Sequence, residues 1–457
     1  MASPGETAVL WFRRDLRLGD HAALLSAGER AERVLALFVL DDKLIKPSGA
    51  PRLAFLYGCL RELSAQLGGR LLVVHGDPAE EVCRAAKSVG AKSVHVTADT
   101  APYGVARDRE VAKALERDGV EWVETGSPYA VTPGRVTKPD GDPYKVFTAF
   151  YRSWRERGWH SPARTSKSAV QWIKPDRELS IPDAPELGGM KLPKPGEKAA
   201  LKLWKRYLDE DVNEYDTARD RPDHDATTRL SPYLHWGCVH PRTLLADLAE
   251  RRGGGAETLR SELAWREFYA DVLWHRPDAA RRNYDKRFDE IQYNEDDALF
   301  EHWRDGRTGY PIVDAGMRQL LAEGWMHNRV RMIVASFLVK DLHLPWWFGA
   351  RHFMRNLVDG DLASNQLNWQ WVAGSGNDAA PYFRVFNPTT QGEKFDPQGD
   401  YVRRFVPELR GVAGKAVHQP WKLKNRPEDY PAPVVEHAQE RQVALERFQQ
   451  ISRGARS

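Results

Sequence analysis

Over the first 130 residues, short apolar runs alternate with longer stretches of helical periodicity. The runs Val9–Phe12, Val34–Leu40, Leu71–His75, Ser93–Thr97 and Val120–Glu124 are rich in β-branched and aromatic residues and read as strands. Between them, positions 52–67, 79–89 and 104–118 space their apolar residues three and four apart, as amphipathic helices do. Strands that are apolar throughout, separated by helices, predict a Rossmann-like α/β domain over 1–130, built on a parallel five-stranded sheet covered on both faces. Such a sheet receives ligands at the carboxyl ends of its strands. No Gly-rich dinucleotide fingerprint follows any of these strands, which argues against a nicotinamide site. Residues 131–200 read as an interdomain linker, because Pro162, Pro175, Pro182, Pro185, Pro193 and Pro195 stand among polar neighbours. From 201 to 457 the strand pattern stops. Helical periodicity returns at 242–251, 257–274, 314–323, 328–342, 350–358 and 435–453, predicting an all-α domain.

Composition narrows the class. A chain of 457 residues suits about two or three domains of roughly 150 residues. With 42% hydrophobic and 29% charged residues it is neither disordered nor collagen-like. No apolar run approaches the roughly 18 residues of a membrane helix. No signal-peptide pattern opens the sequence, and no long tail is expected after the 435–453 helix. Cys59, Cys83 and Cys238 match neither a disulfide framework nor a zinc site, so a reducing, cytoplasmic compartment is expected; a monomer is expected as well. The 67 basic and 64 acidic side chains leave a net charge of +3, which excludes a uniform basic coat but permits a local basic patch. The 16 Trp are the compositional excess that needs a reason.

Hydrolytic and metal signatures are missing: there is no His-Glu-x-x-His, Walker A loop, Gly-x-Ser-x-Gly or Cys-x-x-Cys, and the histidine spacings match no ligand set. The densest polar chemistry lies at 325–395. On one helix Asn328, Arg331 and Met332 share a face, and Asp359 and Asp361 flank Gly360. An Arg–Asp ion pair at a helix junction would explain this. The addition of Asn365, Trp369 and Trp371 points instead to a polar ligand cavity with aromatic walls. The stretch Thr227, Thr228, Arg229, Leu230, Ser231 serves equally as a helix cap or as a phosphate cradle. Glu262, Trp265 and Arg266 lie on one helical face, and spacing alone favours a surface Glu–Arg pair beside a core Trp.

Taken together, these stretches resemble the photolyase/cryptochrome flavoproteins, specifically the class I cyclobutane pyrimidine dimer photolyases. The resemblance runs from Trp11-Phe12-Arg13-Arg14-Asp15-Leu16-Arg17 to about Arg410. Its most specific pieces are 265–269 (WREFY), 309–315 (GYPIVDA), 325–332 (WMHNRVRM) and 378–394 (DAAPYFRVFNPTTQGEK). It implies FAD in the helical domain, with Tyr215 and Thr227 to Ser231 at its phosphates. Asn328, Arg331, Asp359 and Asp361 would surround the flavin and ribityl groups. Asn365 would face flavin N5, where a neutral amide suits the reduced anion better than a carboxylate.

The implied activity is light-driven repair of UV-damaged DNA without sequence specificity: FADH⁻, once excited, lends an electron to the dimer and recovers it after the ring opens. Trp265 and Trp371 would wall the flipped-out lesion, Glu262 would bond the thymine edge and Met332 would pack beneath it. Arg219, Arg329 and Arg384 would contact phosphates. Trp369 and Trp346 would carry electrons inward to an oxidised flavin. At the outer position, where the family has Trp, this chain has Tyr293. The related (6-4) photolyases use two His where Asn328 and Met332 stand, which favours cyclobutane dimers. An antenna chromophore is also implied, with Arg13, Arg52 and Asp99 as candidate contacts. Residues 99–104 look more like the 8-hydroxy-5-deazaflavin type than the methenyltetrahydrofolate type. The rivals are a cryptochrome-type blue-light photoreceptor, which often loses the pocket Trp and acid, and a dark flavin oxidoreductase, which needs a nicotinamide site.

Overall fold

The computed structural model describes residues 3–176, 181–377 and 383–454. Five parallel strands form where the apolar runs predict them: β1 Ser3–Phe12, β2 Ala31–Leu40, β3 Leu71–His75, β4 Ser93–Val96 and β5 Glu121–Glu124. Their order is β3-β2-β1-β4-β5, and a two-residue β6, Gln171–Trp172, adds to β2 beside Arg33 and Val34. Alternate residues feed opposite faces. Val9, Trp11, Leu37, Val94 and Val96 pack with Val82, Ala85, Val111 and Leu115 from the Pro78–Ser88 and Pro102–Arg117 helices, while Ala8, Leu10 and Phe12 are buried as well. Burial on both faces explains the lack of polar alternation in these strands. The chain winds outward in one direction through β2 and β3 and in the other through β4 and β5. The topological switch point therefore lies between the ends of β1 and β4.

One helix between strands escapes the periodicity reading. Ala22–Arg30 runs straight into β2 at Ala31 with no Gly or Pro between them, and its start is marked only by the His21 side chain accepting the Leu24 N–H. Another lies at Phe147–Arg157, ahead of the proline-rich stretch. Its Phe147, Phe150 and Trp154, three and four apart, bury against Phe268 and neighbours on the Gly254–His275 helix. The cysteines are scattered in sequence, yet the fold brings the Cys59 and Cys238 sulfurs to 3.5 Å, both buried.

The chain forms two compact units. The first comprises Met1–Glu186, Pro193–Asn213 and Thr228–Pro277; the second comprises Leu187–Leu192, Glu214–Thr227 and Asp278–Ser457. The second is helical, and its core gathers Ile312, Met317, Val330, Val334, Phe337, Trp346, Phe353 and Trp369. Helices Pro311–Glu323 and Asn328–Lys340 cross closely because Gly316 has no side chain: a Cβ there would stand 2.4 Å from Val330 Cγ1.

Candidate functional site

In the second unit, the polar residues at 328–365 are arranged by two helix starts. His327 caps the Asn328–Lys340 helix by accepting the Arg329 N–H. Asn328 is exposed at the helix start. One turn on, Arg331 donates through Nε to the Met326 carbonyl (2.8 Å) and through Nη2 to Asp359 Oδ2 (2.9 Å). Asp361 caps the Leu362–Ala373 helix, its Oδ1 accepting the Ser364 N–H at 3.0 Å. On the first turn of that helix, Asn365 Nδ2 donates to the Ala350 carbonyl (3.0 Å) and to Gln366 Oε1 (2.9 Å). Gln366 is itself held by a bond from Nε2 to the Ala280 carbonyl at 2.7 Å. Both amide hydrogens of Asn365 are thus engaged, and the group it offers is the acceptor Oδ1. Asp359 Oδ1 is buried with no hydrogen-bond partner among the described residues, an arrangement that proteins seldom leave unfilled. Two buried acceptors and an arginine suit a ligand rich in N–H and hydroxyl donors that also carries acceptors, as an isoalloxazine with its ribityl chain does.

Trp369, one turn beyond Asn365, is buried edge-on to Phe353 (5.0 Å) and Trp303 (6.1 Å). Trp346 donates its indole N–H to Asn283 Oδ1 (2.9 Å) and meets Trp347 edge-on at 5.9 Å, and Trp347 meets Tyr293 at 5.3 Å. Trp371 and Met332 are half-buried against the same core. Arg329 is held by Asp220, with both carboxylate oxygens 2.9 Å from Nη2, and lies over the Phe395 ring. Arg219 lies over the ring of Tyr215. Arg384 is exposed. Residues 378–382 of the 378–394 motif lie outside the described residues. Thr227 also belongs to this unit.

The first unit holds the other candidates. At 228–231, Arg229 adopts a left-handed backbone (φ 51°), Thr228 Oγ1 accepts the Leu230 N–H (3.3 Å), and Ser231 opens a short helix. On the Gly254–His275 helix, Glu262 and Trp265 are half-buried. Trp265 lies flat on Phe147, with ring centroids 3.7 Å apart and planes 9° from parallel. Glu267 points the other way and accepts from the backbone N–H of Ala130 and Val131 and from the Trp154 indole. Burial pushes its carboxyl up to about 7, against the lowering pull of those donors.

At the switch point of the sheet, Arg13 binds both oxygens of Asp108 (2.6 and 2.7 Å) and the Thr97 carbonyl. Arg107 bridges Asp99 (3.2 Å) and Asp108 (2.8 Å), and both guanidinium groups lie over the Trp11 ring. Burial alone would raise the Asp99 carboxyl, but Arg107 and Arg13 beside it hold it below its usual value. Arg13 and Asp99 therefore join one buried charged network, while Arg52 donates to Ser48 Oγ.

Neither Arg107 and Asp108, nor Gln366, nor Phe147 is among the residues that motif and spacing mark out. Arg107 and Asp108 follow the 99–104 stretch on the same helix and were legible as an adjacent charged pair. Gln366 and Phe147 act through contacts that no local spacing announces. No cluster of His, Cys, Asp or Glu able to hold a metal occurs among the described residues, and no described helix is long and apolar enough to cross a membrane.

A family model described as DNA photolyase matches residues 8–168, and one described as the FAD binding domain of DNA photolyase matches residues 258–450. A curated deoxyribodipyrimidine photo-lyase of Streptomyces griseus is 44% identical over 449 residues, covering 95% of this chain and 97% of that protein. Among solved structures, a bacterial class III photolyase from Agrobacterium tumefaciens superposes with a TM-score of 0.91 at 35% identity, covering 99% of each chain. An archaeal photolyase from Sulfolobus tokodaii, solved with two FAD molecules, reaches 0.84 at 30% identity and covers 97% of this chain and 100% of its own.

Proposed function

Because this chain belongs to the photolyase/cryptochrome family, we propose that it is the FAD-dependent photolyase of cyclobutane pyrimidine dimers, with its lesion pocket walled by Trp265 and Trp371. It is an enzyme of light-driven DNA repair, and its substrate is UV-damaged DNA. The observation that carries the lesion reading is Trp265, a half-buried indole stacked flat on Phe147 with the carboxylate of Glu262 three residues earlier on the same rigid helix. A stacking face next to an acceptor is what an extruded thymine edge requires.

Bound FAD supplies the light-excited electron that opens the cyclobutane ring. Asn328, Arg331, Asp359 and Asp361 would surround its isoalloxazine and ribityl groups, with Asn365 facing N5 and Tyr215 and Thr227 to Ser231 at its phosphates. Asn365 presents Oδ1 as a neutral acceptor, so it adds no charge beside a reduced ring. Glu262 orients the lesion, and Trp265 and Trp371 exclude water from it. Met332 and Asn328 supply no protonatable group, which disfavours the (6-4) lesion. Arg219, Arg329 and Arg384 contribute affinity through phosphates without sequence preference. Arg329 must exchange its partner Asp220 for a phosphate to do so.

The antenna chromophore is 8-hydroxy-5-deazaflavin on this reading, with Arg13 and Asp99 at the switch point and Arg52 as the third contact. The second FAD of the archaeal relative is the alternative to be tested by extracting the bound chromophores. The deciding experiment illuminates the reduced holoprotein with blue light in the presence of UV-irradiated oligo(dT) and follows recovery of thymine absorbance. Recovery is expected. A yellow protein that gives none is a photoreceptor of the cryptochrome type.

A further inference from the structure

Tyr293, Trp347 and Trp346 form an edge-on series, with neighbouring ring centroids at 5.3 and 5.9 Å. A phenol behaves differently from an indole at the end of such a series. Taking an electron from tyrosine turns its hydroxyl into a strong acid, so the oxidation proceeds only as a base removes the proton. Burial, assisted by Asp289, pushes the Tyr293 phenol up from its ordinary value, so it starts protonated.

A histidine lines the same cavity. The Asn294 N–H donates to the His343 carbonyl (2.9 Å) and Asn294 Nδ2 donates to the Leu342 carbonyl (3.1 Å), laying the 293–294 segment along 342–343. Tyr293 and His343 line one small cavity with room for about one water. Much of its remaining wall is apolar, from Phe288, Val339 and Ala444. His343 Nε2 lies 2.8 Å from Glu440 Oε2. A carboxylate partner places the ring hydrogen on Nε2 and leaves a lone pair on Nδ1. The charged groups around the pair are Glu440, Asp289 and Arg447, the last tied to the Gln292 carbonyl and Asn294 Oδ1. Burial and Arg447 keep His343 neutral against the pull of Glu440, ready to accept a proton.

We propose that Tyr293, His343 and Glu440 form a proton-coupled terminus for the aromatic series. An electron vacancy arriving on Trp347 is filled from Tyr293. The phenolic O–H bond breaks, and the proton crosses the cavity to His343 Nδ1. The products are neutral Trp347, a neutral tyrosyl radical and an imidazolium paired with the Glu440 carboxylate. This rests on the reading of Trp369 and Trp346 as an electron path, and it gives the Trp-to-Tyr replacement a function: a neutral radical beside a protonated histidine recombines slowly.

The test is flash excitation of the oxidised holoprotein with detection of tyrosyl and tryptophanyl radicals. His343→Asn suits the left-handed backbone at 343 (φ 54°) and cannot take a proton. It should slow tyrosyl radical formation by about tenfold or more. It should also remove the loss of rate on acidification expected of wild type, because the group that titrates is gone. Glu440→Gln should fall between. In a Tyr293→Trp background, His343→Asn should change nothing, since an indole needs no base at that step. Equal tyrosyl yields and rates in wild type and His343→Asn, or a wild-type radical that never reaches tyrosine, would overturn the proposal. The flavin reading fails separately, if the protein purifies without FAD. In that case azide-radical oxidation of tryptophan in the flavin-free chain, with Tyr293→Phe as the reference, still reads the Trp347-to-Tyr293 step and its dependence on His343.

Discussion

Gly349 shows how tightly the ring of Trp369 is packed. It lies inside the Trp346–Asn356 helix, where alanine would ordinarily be favoured by about 0.5–1 kcal/mol. Here a Cβ would stand 2.1 Å from Trp369 Cη2, 2.6 Å from Trp369 Cζ3 and 2.6 Å from Leu338 Cδ2. Restoring contact distance means moving the indole or the helix by more than an ångström. In a close-packed interior, overpacking of that kind costs about 1–3 kcal/mol. Set against the propensity gain, Gly349→Ala should destabilise the helical unit by roughly 1–2 kcal/mol. Urea unfolding measures this as a lower midpoint at unchanged slope. Near-ultraviolet circular dichroism should report the shifted Trp369, and photoreduction of oxidised flavin should slow. A variant as stable as wild type, with an unaltered tryptophan signal, would show that Trp369 is not clamped by this contact and would refute the packing argument.

Three other outcomes are expected. Glu267→Gln places an NH2 among three N–H donors and should destabilise the α/β-containing unit by about 2 kcal/mol or more, read by chemical denaturation. Lys340 is fully buried, its Nζ donating to the Arg384 carbonyl at 2.5 Å, and burial pulls its pKa down to about 7. Above pH 7 the unfolded chain holds a proton at Lys340 that the folded chain has shed, so its contribution to stability rises with pH, by at most about 1.4 kcal/mol per unit up to its unfolded pKa. Lys340→Met should flatten the measured stability between pH 7 and 9, and an unchanged slope would place the source elsewhere. Trp265→Ala should weaken binding of dimer-containing DNA by about 1–3 kcal/mol, or roughly 5- to 150-fold in Kd, while FAD stays bound. Loss of the flavin instead would contradict the pocket assignment.

Much of this molecule is legible in one dimension. The five strands follow from apolar runs that only a doubly covered sheet can bury, and the long back helices follow from three-and-four spacing. Helices with weaker local marks escape, as Ala22–Arg30 does by merging into β2. The polar candidates at 328–365 also announce themselves, because Asn, Arg and Asp crowded among buried positions need partners. The partners themselves lie far along the chain. Nothing in the spacing pairs Trp265 with Phe147, Gln366 with Ala280, or His343 with Glu440; those depend on which helices cross and where. Arg329, expected at DNA phosphates, is held by Asp220, 109 positions away. The same distinction applies to Tyr293. That a tyrosine stands where the family has tryptophan is a fact of the sequence alone. That it closes an edge-on series of rings and shares a cavity with a histidine comes only from tertiary structure, since local propensity and hydrophobic period act over a few residues while electron and proton transfer depend on ångström distances between segments brought together by packing.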